Sequence, residues 1–199
     1  MFNNLKANLI NNGYKVSVFE NKEQATNYLN TVIDGKTVGI GGSVTVNELG
    51  LYDALKTHNN VIWHLKVDKS VVKQTRLASS RAEVYISSVN AISMQGELVN
   101  IDATGNRVAA TTFGPNKIYF IIGKNKIVNS LEDAVYRARN VASPLNAKRL
   151  GFNTPCAIKG DKCYNCNSAQ RICKALSIFL KAPNGADYEI ILVNENLGF

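Results

Sequence analysis

The 199-residue chain is poor in the features that mark membrane, secreted or nucleic-acid-binding proteins. No apolar run approaches the ~20 residues needed to span a bilayer, which excludes a helical membrane protein. Met1-Phe2-Asn3-Asn4 carries neither the basic head nor the apolar centre of a secretion signal, so the expected location is cytoplasmic. Histidine is scarce: His58 and His64 are the only two, and nothing in their spacing makes a metal pair, so both are expected to be structural. There is no internal repeat, no low-complexity linker and no Walker or G-x-G-x-x-G phosphate loop. What remains, 45% apolar and 19% charged residues, fits a soluble globular domain spanning 1–199, with a cysteine-rich module at 153–174 inside it.

The formal net charge of +8 raises the question of nucleic acid. Between Leu145 and Lys181 stand seven basic residues (Lys148, Arg149, Lys159, Lys162, Arg171, Lys174, Lys181) against one acid, Asp161. The same window holds every cysteine, and thiolates around a metal would offset those cations. With no basic-aromatic alternation to stack bases on, no nucleic-acid partner is expected.

Hydrophobic spacing predicts strands and helices in alternation, hence an open, mostly parallel, doubly wound sheet. A helix is expected over 2–12 with Leu5, Leu9 and Ile10 on one face and Gly13 as its stop, then a strand over Tyr14–Phe19. Asn21 would cap a helix carrying Ala25, Tyr28, Leu29 and Val32, closed by Asp34-Gly35. Lys36–Ile40 reads as a strand ending in Gly41-Gly42-Ser43, which feeds a helix carrying Val46, Leu49, Leu51 and Leu55, with Glu48 in its first turn. Such a glycine turn at a helix N-terminus offers backbone N–H groups to an anion, or is simply a tight strand-to-helix turn. Val61–Leu65 is a strand, Asp68–Ser80 a helix, and Leu131–Ala142 a helix that Pro144 breaks or bends. Asp187–Val193 is a final buried strand.

The chain is organised around residues 83–122. Val84-Tyr85-Ile86 is an apolar strand that ends in Ser87-Ser88-Val89-Asn90. Gly96–Asp102 is expected to pack on a sheet, Thr104-Gly105-Asn106 to turn a hairpin, and Arg107–Ala110 to return as its second strand before Lys117–Ile122 re-enters the core. This is an inserted β-hairpin between two core strands, with the loop leaving the first of them crowded with small polar residues.

Cys156, Cys163, Cys166 and Cys173 form C-x6-C-x2-C-x6-C. Four thiols so close in a cytoplasmic chain point to a metal, and the pattern suits either a [4Fe–4S] cluster or Zn²⁺, with reduced, metal-free thiols in a compact loop as the alternative. Ile172, Leu176, Ile178 and Phe179 are expected to form a helix anchoring this module.

Three stretches together resemble the LUD-domain (lactate-utilization) family: Gly41-Gly42-Ser43-x-Thr45-x-x-Glu48-Leu49-Gly50; Asn90-Ala91 with Gly96-Glu97-Leu98, Asp102 and Gly105-Asn106-Arg107; and Arg171-Ile172-Cys173 with Ile191–Gly198. The resemblance implies a fold like that of ribose-5-phosphate isomerase and the CoA transferases. It also implies a role beside iron–sulfur oxidoreductase subunits in the oxidation of lactate to pyruvate. The expected ligand-binding residues are Gly41, Gly42, Ser43, Thr45, Glu48, Asn90, Gly96 and Glu97, gathered around a small anionic or phosphate-bearing ligand. Two other functions stay open: an isomerase or CoA-transferase type of enzyme with Glu97 as base or nucleophile and Asp102 assisting, and a metal-stabilised interaction module with no small ligand. Enzyme status stays open, and so does assembly into a homodimer.

Overall fold

A computed structural model describes residues 2–199. Six strands build one parallel sheet: β1 (Lys15–Phe19), β2 (Thr37–Ile40), β3 (Asn60–Trp63), β4 (Val84–Ser87), β7 (Lys117–Gly123) and β10 (Asp187–Val193), in the spatial order β1-β10-β7-β4-β2-β3. A second sheet is assembled from β5 (Ala91–Ser93), β6 (Leu98–Asp102), β8 (Ile127–Val128) and β9 (Ala175–Phe179), in the order β8-β5-β6-β9. The helices are α1 (Asn3–Asn11), α2 (Lys22–Val32), α3 (Val44–Glu48), α4 (Leu51–Leu55), α5 (Val72–Ser79), α6 (Asn106–Thr112), α7 (Leu131–Arg137), α8 (Ser143–Arg149) and α9 (Pro155–Lys159).

The strands of the large sheet read as unbroken apolar runs because both of their faces are covered. Along β7, Tyr119 and Ile121 face the core shared with α2, α3 and α4, while Ile118, Phe120 and Ile122 face the core shared with α1 and the small sheet. Along β10, Ile191 and Val193 alternate with Ile190 and Leu192 in the same way. Each such side chain, fully buried, contributes roughly 1.5–3 kcal/mol. This is an open α/β fold with helices on both faces, as the strand-helix alternation requires. Among the described residues no helix is long and apolar enough to cross a membrane.

The strand order fixes where a ligand can sit. From β2 the chain moves outward to β3, whereas from β4 it moves the other way, toward β7. The connections therefore diverge between the carboxyl ends of β2 and β4, the switch point at which open α/β sheets form their crevice.

Several expectations need correction. Thr104-Gly105-Asn106 turns no hairpin. Gly105, at φ 86°, starts α6, whose first N–H groups from Arg107 and Val108 are taken by the Asp102 carboxylate, so Arg107–Ala110 is helical. The inserted hairpin is β5–β6, turning at Gly96 with φ 91°. The expected helix at 172–179 is strand β9, paired with β6 from Leu98↔Phe179 to Asp102↔Ala175; the run Leu176-Ser177-Ile178-Phe179 has a period of two, not 3.6. Gly50, at φ 65°, divides the expected 46–55 helix into α3 and α4, which puts Glu48 at the end of α3 and not in a first turn. The 68–80 helix is regular only from Val72, and Ile10 is exposed. Pro144 does not end its helix. It has no N–H for the preceding turn, and the chain widens into a π turn over Ala138–Ala142 that runs directly into α8.

Gly39 shows how tightly α5 lies on the sheet. A Cβ at this position would sit 2.1 Å from the Ser79 carbonyl oxygen. Gly39→Ala should therefore push α5 off β2 and lower stability by about 3 kcal/mol or prevent folding, measured by urea unfolding; a change within experimental error would contradict this packing.

Candidate functional site

A cavity of about 200 Å³ opens at the switch point. Gly42, Ser43 and Thr45 enter it from the turn after β2, His64 from the end of β3, and Ser88 and Asn90 from the loop after β4. Lys126 comes from the single 3₁₀ turn after β7, and Ile101, Asp102 and Arg107 from the end of β6 and the start of α6. Arg76 on α5 and Asn146 and Arg149 on α8 complete the wall. Ser43 and Asn90, 47 positions apart in the chain, thus share one hollow.

Four expected ligand contacts lie outside the lining residues. The backbone of Gly41 is already engaged, its N–H by Ile86 and its carbonyl by the Trp63 indole. Glu48 is exposed and accepts the Gly198 N–H at 2.8 Å, holding the C-terminal segment in place. Gly96 and Glu97 sit at the tip of the β5–β6 hairpin, whose root, not tip, reaches the cavity. Gly96 packs against Leu9 of α1 and Asn12 just after it, and the Glu97 carboxylate accepts the Ser93 hydroxyl. Glu97 is therefore not placed to act on a ligand there. Asp102 does line the cavity, but its oxygens take main-chain N–H groups from Ala103 at 2.7 Å and Arg107 at 3.0 Å, with Arg107 Nε 3.7 Å away.

The other lining charges are all positive: Arg76, Arg107, Arg149 and Lys126. Arg107 is braced by Nη2 to the Ile101 carbonyl at 2.7 Å and by Nη1 to Asn100 Oδ1 at 3.3 Å. Arg149 is held by Asn146 Oδ1 at 2.8 Å, and Arg76 touches only Thr104 Oγ1 at 3.4 Å, its buried Nε lacking a partner. His64 is 6% exposed and its Nδ1 has no partner. Burial, and then the Arg76 charge, push its pKa down to about 4, so the ring is neutral at physiological pH.

Lys126 is the least expected member. Only 3% exposed, its Nζ lies 2.7 Å from Thr45 Oγ1 and 2.9 Å from Ser88 Oγ, and among the described residues no carboxylate pairs with it. Burial, with Arg137 and Arg107 nearby, pushes its pKa down to about 7, against a weak opposing pull from Glu48. Sequence reasoning missed Lys126, Arg76, Arg107, Arg149 and His64 because they come from five separate elements. The one readable signal was a lysine just past a buried strand.

The cysteine segment borders the cavity through Ile172. Cys156, Cys163, Cys166 and Cys173 are free thiols, each partly exposed. Arg171 ties the chain together here, with Nη1 on the Cys166 carbonyl at 2.8 Å and Nε on the Cys173 carbonyl at 2.9 Å. Among the described residues no three His, Cys, Asp or Glu side chains converge as a metal site needs.

The LUD-domain family model matches residues 2–193. This chain belongs to the LUD-domain family. A crystal structure of a DUF162 family protein from Deinococcus radiodurans shares its fold, with a TM-score of 0.54 at 10% sequence identity, covering 96% of this chain and 94% of that one. No curated protein matches.

The LUD domain's buried lysine makes a definite pH prediction. Its pKa falls from 10.5 unfolded to about 7 folded, so the charged form opposes folding fully below about pH 7, and the penalty fades as the pH rises toward 10.5. Relative to wild type, Lys126→Met should therefore have its most favourable melting temperature near pH 6 and lose most of that advantage by about pH 9.5. A difference that does not change with pH would contradict a depressed lysine.

Proposed function

We propose that this LUD domain binds a small carboxylate in the switch-point cavity, as an accessory component of hydroxyacid oxidation working beside iron–sulfur oxidoreductase subunits. The observation that carries the reading is the convergence of three guanidinium groups and Lys126 on one small cavity whose one acidic side chain, Asp102, is already engaged by backbone N–H groups and by Arg107. Arg76 and Arg107 are partly buried and share one carboxylate, Asp102, between them, so an anion from outside would compensate the remaining charge. A planar carboxylate suits guanidinium forks such as Arg76 and Arg107, and the volume of about 200 Å³ favours molecules of lactate size. The family's link to lactate utilization agrees with this chemistry. An isomerase or CoA-transferase mechanism built on Glu97 draws no support from a side chain at the hairpin tip.

A second reading concerns the cysteine segment. Reduced, partly exposed thiols on a loop whose ends Arg171 already draws together favour a segment that closes on zinc or an iron–sulfur cluster. Metal analysis after anaerobic purification tests it: stoichiometric zinc or iron lost in Cys166→Ser supports it, and metal-free protein with four titratable thiols contradicts it.

Calorimetric titration with lactate and pyruvate tests the cavity. Arg76→Ala, which removes a guanidinium with few other partners, should weaken binding about ten- to a hundredfold, the loss of one charged hydrogen bond. Glu97→Gln should leave it unchanged. Loss of binding in Glu97→Gln with full binding in Arg76→Ala would overturn the assignment.

A further inference from the structure

We propose that Lys126 is a nucleophile that forms an imine with a small carboxylate carrying an aldehyde or ketone group. The proposal rests on the reading of the cavity as a carboxylate site and specifies which carboxylates it would take.

The hydrogen bonds around Nζ lead to it. Thr45 Oγ1 donates its hydrogen to the Leu197 carbonyl at 3.2 Å, and Ser88 Oγ donates its own to the Ile121 carbonyl at 2.6 Å. A hydroxyl has one hydrogen. Both oxygens can therefore only accept from Lys126, which must point two N–H bonds at them. The remaining valence of Nζ has no partner among the described residues, and Lys126 is one of the residues that line the cavity. On an ammonium that valence would be a third N–H; on an amine it is a lone pair, and the two hydroxyls leave it aimed away from themselves.

The surrounding charge selects the amine. Facing Lys126 are Arg107 of α6 and Arg137 of α7, both cations, and Glu48 of α3, which is exposed and occupied by the Gly198 N–H. With its pKa at about 7, the unprotonated fraction at neutral pH is roughly a thousandfold that of an exposed lysine. A desolvated lysine of this kind attacks carbonyl carbon. Arg76, Arg107 and Arg149 supply the charge that would hold the carboxylate, so the ligand class needs both groups: an anion for the guanidiniums and a carbonyl for the amine.

The step balances. Nζ forms a bond to the carbonyl carbon while the C=O π pair moves to oxygen. The resulting carbinolamine loses that oxygen as water together with both former amine hydrogens, leaving C=N. No oxidant or reductant is consumed.

The full-length chain is incubated with pyruvate, reduced with sodium borohydride and analysed by intact mass and peptide mapping, with lactate, which has no carbonyl, as control. The expected result is one adduct per chain on the peptide containing Lys126. It should grow from about pH 6 to about pH 8 as the amine deprotonates, diminish with excess lactate, and be absent in Lys126→Arg and Lys126→Met. If pyruvate and lactate both raise the melting temperature but no adduct forms at Lys126, the carboxylate site stands and the imine is overturned. If neither ligand shifts the melting temperature, both readings fall. Equal labelling of exposed lysines in wild type and Lys126→Met also overturns the imine.

Discussion

Parallel pairing is the constraint from which the rest of this molecule follows. Strands that all run the same way deliver all their carboxyl ends to one edge, and there the connections leaving β2 and β4 must part in opposite directions. The gap left by that parting is the cavity. Because β3 and β7 run parallel beside them, His64 and Lys126 arrive at the same edge, one residue and three residues past the end of their strands. The inserted β5–β6 hairpin closes the gap from outside and carries Asp102 and α6 to its rim. The π turn before Pro144 steers α8 so that Asn146 and Arg149 face it.

Electrostatics then gives the cavity its character. A protein interior tolerates a cation only when something compensates it, and here the one acidic side chain in the wall both caps α6 and pairs with Arg107, leaving nothing for Arg76 and Lys126. The fold answers part of the cost by letting Lys126 and His64 shed their protons, and leaves the guanidiniums, which cannot do so, to meet an anion. A neutral imidazole and a lysine that gives up its proton near pH 7, beside fixed guanidiniums, make a place suited to negative, reactive small molecules.

The large architecture was legible in the residues. Apolar runs at 84–86, 117–122 and 187–193 are too continuous for half-exposed strands, and both of their faces proved covered. The switch-point loops were legible too, since glycine at 41–42 and serine and asparagine at 87–90 are what a chain needs to turn at strand ends. Local capping was misread at Asp102, where a carboxylate four to five residues ahead of Asn106 and Arg107 signals a helix start more strongly than Thr-Gly-Asn signals a hairpin. β9 was misread because four apolar residues in eight positions fit a helix nearly as well as a strand, and only pairing with β6 decides. The cationic cluster was invisible for a different reason. Outside the 145–181 window the charge nearly cancels along the chain, yet folding collects Arg76, Arg107 and Lys126 in one place with Asp102 as the one acidic side chain among them.

The most direct measurement is a backbone amide NMR titration with pyruvate. The ligand should shift a single set of resonances at 42–45, 64, 88–90, 102–107 and 126, drawn from separate stretches that meet only at the switch point. Shifts confined to the hairpin tip at 94–97 or to the cysteine segment, with those positions still, would contradict a carboxylate site in this cavity.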